Sequence, residues 1–167
     1  MRLATTVIAA SAVALVLPSD RLVSTHYIWN ASSSVPVGLY RLQIADKIAT
    51  LDLVAIRPPE PLATYLADGG YLPRNVLLLK RVLALSAQTV CRTGLTITVD
   101  AIEVGEARER DSRERPLPSW GGCRSVRPDE LFVMNPQSPD SLDGRYFGVI
   151  PKSSVVGQAI PVWTREQ

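Results

Sequence analysis

Histidine is nearly missing from this chain. Among 167 residues only His26 is a histidine. A metal site built from several histidines is thereby excluded, and a Ser-His-Asp arrangement would have to use that one residue. Cysteine is equally scarce. Cys91 and Cys123 are the only two, which excludes a four-cysteine zinc site and permits one disulfide. Lysine occurs only as Lys47, Lys80 and Lys152 within a total of 18 Lys+Arg, so a lysine in an apolar setting stands out. Excess charge of one sign is also lacking: 18 basic against 16 acidic residues leave +2, no footprint for nucleic-acid binding. With 46% hydrophobic and 20% charged residues the balance is that of an ordinary globular chain. Its length suits one domain and hardly two.

The amino terminus is different. Arg2 precedes an uncharged run from Leu3 to Leu17, closed by Pro18. A positive start and an apolar core of that length suit an export signal or a short inner-membrane anchor, though a full span needs about 20 apolar residues. Ala12-Val13-Ala14 resembles a cleavage site, and Tyr27 and Trp29 suit a membrane interface. The chain is therefore read as a signal-like segment or anchor over residues 1–20, expected to be helical, and a domain over 21–167. Export carries Cys91 and Cys123 out of the reducing cytosol, so they are expected to pair.

Beyond Asp20, thirteen prolines and ten glycines cut the chain into short pieces. Leu51–Ile56, Leu95–Val99, Ile102–Val104, Leu131–Met134 and Ser154–Trp163 read as strands, with a hairpin at Asp100-Ala101. Glu60–Ala67 reads as a short helix after two prolines. Val76–Leu85 is the strongest apolar stretch, and periodicity leaves helix or strand open. A mainly β domain follows. Glu106–Arg115 packs four arginines and four acids into ten residues. Cancelling charge favours a solvated loop over a partner-docking patch.

Three clusters carry chemistry. In a strand, Lys80 would face the same side as Leu78 and Val82, opposite to Arg81. Burial there would favour the neutral amine, a usable general base; an edge strand with Lys80 reaching to water is the other reading. Ser32-Ser33-Ser34 precede Val35-Pro36, where proline stiffens the backbone and can present a serine rigidly; a polar linker is the plain alternative. In Pro136–Gly148, Ser141 and Asp143 stand two apart, so an extended segment would aim both at one side, to orient an amine and anchor Arg145. A turn leading into a strand is the structural alternative.

Taken in order, these clusters resemble the type I signal peptidase (leader peptidase) family, and more closely its conjugative branch of TraF-type transfer peptidases. Asn30-x-Ser32-x-Ser34-x-Pro36-x-Gly38-Leu39-Tyr40 is similar to the nucleophile box, and Leu79-Lys80-Arg81-Val82 to the general-base box. Ser141-x-Asp143-x-Arg145-Tyr146-Phe147-Gly148 is similar to the closing box, and Val156-Gly157-Gln158-Ala159-Ile160-Pro161-Val162-Trp163 fits the ending. Two departures stand out. Leu85-Ser86-Ala87 replaces the glycine turn after the base box, and the Gly-Asp-Asn run of the broader family is absent. The broader family also spaces its serine differently from the proline, whereas the conjugative branch has the two-residue spacing of Ser34.

The resemblance implies an antiparallel, mainly β catalytic domain with an N-terminal apolar helix and a Ser-Lys dyad. Ser34 would be the nucleophile and Lys80 the base. The Ser34 N–H and the Ser32 hydroxyl would form the oxyanion hole, and Ser141, Asp143 and Arg145 would support the site. No cofactor or metal is implied. The expected partners are a pilin precursor or other exported protein, the membrane and other conjugative transfer proteins. The expected location is the periplasm at the inner membrane, and cyclisation of the product is allowed by an acyl-enzyme resolved by an amine. A non-catalytic β scaffold of the transfer apparatus and a general leader peptidase are the alternatives.

Overall fold

The computed structural model describes residues 26–44 and 46–165. The apolar segment from Leu3 to Leu17, with the expected N-terminal helix, lies outside them. Among the described residues eleven strands, two short α-helices and a 3-10 turn at Lys152–Ser154 follow one another. The strands and α-helices are β1 His26–Asn30, β2 Gly38–Gln43, β3 Leu53–Ile56, α1 Leu62–Asp68, β4 Leu78–Ala84, β5 Thr89–Thr93 and β6 Thr96–Val99, then β7 Ile102–Glu106, β8 Gly122–Ser125, β9 Glu130–Met134, α2 Gly144–Phe147, β10 Val149–Pro151 and β11 Val155–Thr164.

Every strand pairing is antiparallel. One sheet has seven strands in the order β1-β2-β11-β3-β4-β9-β10, the other four in the order β7-β6-β5-β8. The mainly β expectation therefore holds. The helix expected over Glu60–Ala67 forms two residues later, as α1. Val76–Leu85 resolves as β4. This strand is interior, with β3 on one side and β9 on the other, and both of its faces are covered. Such a strand needs no polar alternation, which is why periodicity could not name it. The β6–β7 hairpin turns on Asp100 and Ala101, both with positive φ (49° and 66°), the twist that a two-residue antiparallel turn prefers.

The core has three parts. Leu83, Ala84, Val90, Ile97, Phe132 and Met134 join the two sheets. Val35, Tyr40, Leu53, Ala55, Leu79 and Ala159 cover one face of the large sheet. Val54, Ile56, Val82, Leu131, Val133 and Ile150 cover the other. Alternation along β4 sends Leu79 to the second of these clusters. Leu78 and Val82 go to the third, and Lys80 between them, paired in register with Val54, is 3% exposed. On the small sheet, β5 and β8 place Cys91 directly opposite Cys123, and the two form a disulfide.

Candidate active site

The lysine comes first, because the fold has to fix it before it can be used. Asn135, just after β9, clamps the strand on either side of Lys80. Its side-chain Nδ2 donates to the Leu79 carbonyl at 3.1 Å, and its Oδ1 accepts from the Arg81 N–H at 3.0 Å. The Lys80 Nζ donates to Ser141 Oγ at 2.7 Å. Burial pushes the amine down from its ordinary value to about 8; Asp143 opposes that shift and Arg145 adds to it.

Ser141 is held by a buried ion pair. Asp143 caps α2, and its carboxylate accepts the backbone N–H of Arg145 at 3.2 Å and that of Asn135 at 3.0 Å. The Arg145 guanidinium grips both carboxylate oxygens, at 2.9 and 2.8 Å. Its Nη2 also donates to the Ser138 carbonyl at 2.7 Å and to the Ser141 carbonyl at 3.3 Å, so the segment before α2 is wrapped around it. Arg92 of the small sheet, also buried, donates to the Arg145 carbonyl at 2.6 Å. Ser141, Asp143 and Arg145 are thus one unit that meets the lysine.

The serine cluster follows β1 without a break. Asn30, the last residue of that strand, organises it. Its Nδ2 donates to the carbonyls of Ser32, Val35 and Pro36 at 2.8, 3.0 and 3.2 Å. Its Oδ1 accepts from the Ser32 N–H at 3.2 Å and from the Ser32 hydroxyl at 2.8 Å. The Ser32 and Ser34 hydroxyl oxygens lie 3.1 Å apart. With the Ser32 proton on Asn30, Ser34 is the donor of that pair. Ser33 is exposed, Ser34 half-buried, and Val35 is packed into the core.

One cavity of about 350 Å³ brings the two sides together: Ser32, Ser33, Ser34, Lys80 and Ser141 all line it. Asp143 and Arg145 stand behind, holding Ser141. His26 is at the far end of β1 and is not among the lining residues. Among the described residues no group of three or more His, Cys, Asp or Glu is placed to hold a metal ion.

One expectation is extended. The charged run Glu106–Arg115 is mostly exposed, as expected of a solvated loop, but it also forms one wall of this cavity, to which Arg108, Arg110, Asp111, Arg113 and Arg115 contribute. It is pinned from a distance. The Tyr71 hydroxyl donates to Asp111 at 2.7 Å, and Arg115 donates to the Gly69 carbonyl at 2.6 Å while its guanidinium lies over the Tyr71 ring. The wall, Asn30 and Asn135 are the parts that sequence reasoning missed. Asn30 was in view as a box residue without a role, whereas Asn135 carried no signal.

Comparison with known proteins places the chain in a family. Residues 1–164 match the family described as signal peptidase, peptidase S26. A probable conjugal transfer protein TraF of Sinorhizobium fredii (strain NBRC 101917 / NGR234) is 35% identical over 153 residues, covering 83% of this chain and 77% of its own. A plasmid transfer protein TraF of Escherichia coli is 27% identical over 172 residues, covering 98% of this chain and 96% of its own. The crystal structure of a signal peptidase I from Enterococcus faecalis V583 aligns with 70% of this chain and 98% of its own, at 20% identity and a TM-score of 0.42. On the sequence matches, the chain belongs to the signal peptidase family, peptidase S26, among its TraF-type members.

Proposed function

We propose that this chain is a membrane-associated serine endopeptidase with a Ser34–Lys80 dyad that processes an exported precursor in conjugation, a pilin precursor being the substrate expected from the family resemblance. The observation that carries the reading is a lysine amine buried, lowered to about 8 and opening on the same cavity as Ser34. A serine hydroxyl is a weak nucleophile without a base, and a lysine that is partly neutral near pH 8 is one. Ser34 Oγ attacks the scissile carbonyl and its proton passes to Lys80 Nζ. The oxyanion is met by the Ser34 N–H and the Ser32 hydroxyl, the latter turned away from Asn30. Collapse breaks the C–N bond, the leaving amine takes the proton from Lys80, and an ester on Ser34 remains. Water activated by Lys80 hydrolyses it; an amine from the product's own amino end would close a ring instead. Ser141 and the Asp143–Arg145 pair keep the amine aimed throughout. The disulfide and the apolar start of the chain support a periplasmic site at the inner membrane.

The test is precursor processing by Ser34→Ala and Ser33→Ala in parallel. Ser34→Ala should be inactive with an unchanged circular dichroism spectrum, while Ser33→Ala, at the exposed neighbour, should retain activity. The reverse pattern would move the nucleophile by one residue, and two active variants would end the dyad reading.

A further inference from the structure

Ser34 borders two cavities of opposite character. One, of about 480 Å³, is lined largely by apolar groups, among them Ile28, Trp29, Leu77 and Leu79. The other is the cavity shared with Lys80, and its wall is cationic. Four arginines face it, Arg108, Arg110, Arg113 and Arg115, against two aspartates, Asp111 and Asp140. Both aspartates are already engaged. Asp111 is bound to Arg115 at 2.6 Å, and Asp140 is paired with Arg108. Arg110 and Arg113 are left without a carboxylate among the described residues. Arg110 donates to the Glu114 carbonyl at 2.6 Å, a bond that needs no charge, and only the backbone N–H of Arg113 is engaged, by Asp111 at 2.8 Å. The fold therefore does not need these two guanidinium groups for an ion pair, yet it holds them over the site. Ala107 is buried, the Arg108 N–H donates to the Tyr146 hydroxyl at 3.1 Å, Arg110 bridges Pro116, and Asp111 is tied to Tyr71.

We infer that Arg110 and Arg113 read a carboxylate of the substrate peptide next to its scissile bond, either an acidic side chain or a free terminal carboxylate. The inference rests on the peptidase reading for its substrate and adds the chemical class of one subsite. A carboxylate in the half-enclosed cavity would meet two fork-shaped donors, the partner geometry guanidinium groups suit best. A neutral peptide would leave both cations on the cavity wall without an anion.

The experiment measures binding by the full chain carrying Ser34→Ala, so that cleavage does not intervene. Three N-acetylated ten-residue Ala/Ser peptides are compared: one amidated and neutral, one amidated with a single glutamate, and one with a free terminal carboxylate. At least one anionic peptide should bind about tenfold tighter than the neutral one in low salt, and high salt should erase the difference. Arg110→Gln/Arg113→Gln should also erase it, whereas Arg41→Gln, an exposed change on β2 away from the cavity, should not. Which anionic peptide is preferred identifies the source of the carboxylate. Equal affinity for neutral and anionic peptides, a preference that survives the double change, or one lost equally with Arg41→Gln overturns the inference. Cleavage of a precursor by Ser34→Ala would sink the dyad instead and leave this result standing.

Discussion

On the lysine side of the cavity the amine and the groups that hold it are buried: Lys80, Ser141, Asp143 and Arg145 are 3%, 4%, 2% and 2% exposed. On the serine side Ser32 and Ser33 are exposed and Ser34 half-buried, and their order comes from one side chain, that of Asn30. On the proposed dyad, the contrast follows from what each group has to do. A lysine becomes a base near neutrality only if its charge is made costly, and that takes a core, an interior strand and an ion pair close by. A nucleophile must meet an incoming chain, so it sits in a turn that local hydrogen bonds shape. If this division is real, changes to the groups that hold the lysine cost both chemistry and stability, loss of the lysine itself costs chemistry without stability, and changes on the serine side cost mainly chemistry.

The largest effect should come from Lys80→Met, with kcat/KM falling by about 10³-fold or more. In the wild type, activity should climb with pH as the amine loses its proton, with a midpoint at about 8. Stability has its own sign. The folded value, about 8, lies below the unfolded one of 10.5, so below pH 8 the folded protein carries a buried ammonium and the cost is complete. Between those values the unfolded chain binds more protons, so stability rises with pH, by about 3 kcal/mol in all. Lys80→Met removes that cost and also the bond to Ser141. It should therefore be no less stable than wild type at pH 7, with any advantage fading towards pH 10. Urea unfolding at the two pH values checks this, and a variant that loses stability equally at both would mean that the lysine is structural.

Asp143→Asn comes next. It keeps the shape of the side chain but strands the buried Arg145 guanidinium, a change that costs about 3–5 kcal/mol when one partner of a buried pair is lost. Asp143 also opposes the depression of Lys80, so its loss should shift the rising limb of the activity profile to lower pH. Both readouts are needed. A fall in stability with an unmoved profile would detach the ion pair from the base.

The small sheet supplies a control, since it carries neither Ser34 nor Lys80. Cys91→Ala/Cys123→Ala opens a bridge with a sequence separation of 32 and should cost about 3–4 kcal/mol of stability. Activity at 25 °C should stay near wild type as long as the protein is folded. Loss of activity in the folded variant would show that the small sheet reaches the base, and the bond from Arg92 to the Arg145 carbonyl is the route it would take.

How much of this was legible in the sequence follows the same line. The side of β4 on which Lys80 lies came from a period of two, and Ser141, Asp143 and Arg145 came from their spacing before a glycine. Both are short-range signals. β1 and β2 were not recognised, because the serines drew the reading towards a linker. β5 and β8 carry little apolar content, and β8 is exposed throughout, so its place is marked by the register of Cys123 with Cys91. The charged run is exposed as its composition suggests, and its place along the cavity was missed for a different reason. Its charges cancel along the chain, as those of a solvated loop would, and what fixes it is Tyr71, 40 residues away. Asn135 is invisible for the same reason: its two bonds reach back 54 and 56 residues. Local pattern picked out the residues proposed to carry chemistry, while their supports depend on contacts that close only in three dimensions.

A change at Asn30 is the one most able to break the contrast between the two sides. Asn30→Ala removes donors to three carbonyls and an acceptor for Ser32, while the β1–β2 pairing that starts at this residue is made by the backbone and survives. Most of the released groups can reach water, because Ser32 is exposed and Pro36 still accepts from the Tyr40 hydroxyl at 2.6 Å. The Val35 carbonyl is the buried exception. One unsatisfied group of that kind costs about 1–3 kcal/mol, and the low end is expected here. Activity should fall about 10- to 100-fold through kcat, because a turn misplaced by a fraction of an ångström spoils attack without preventing binding. Should Asn30→Ala instead lose as much stability as Asp143→Asn, the serine side would be as deeply built into the core as the lysine side, and the division between them would fail.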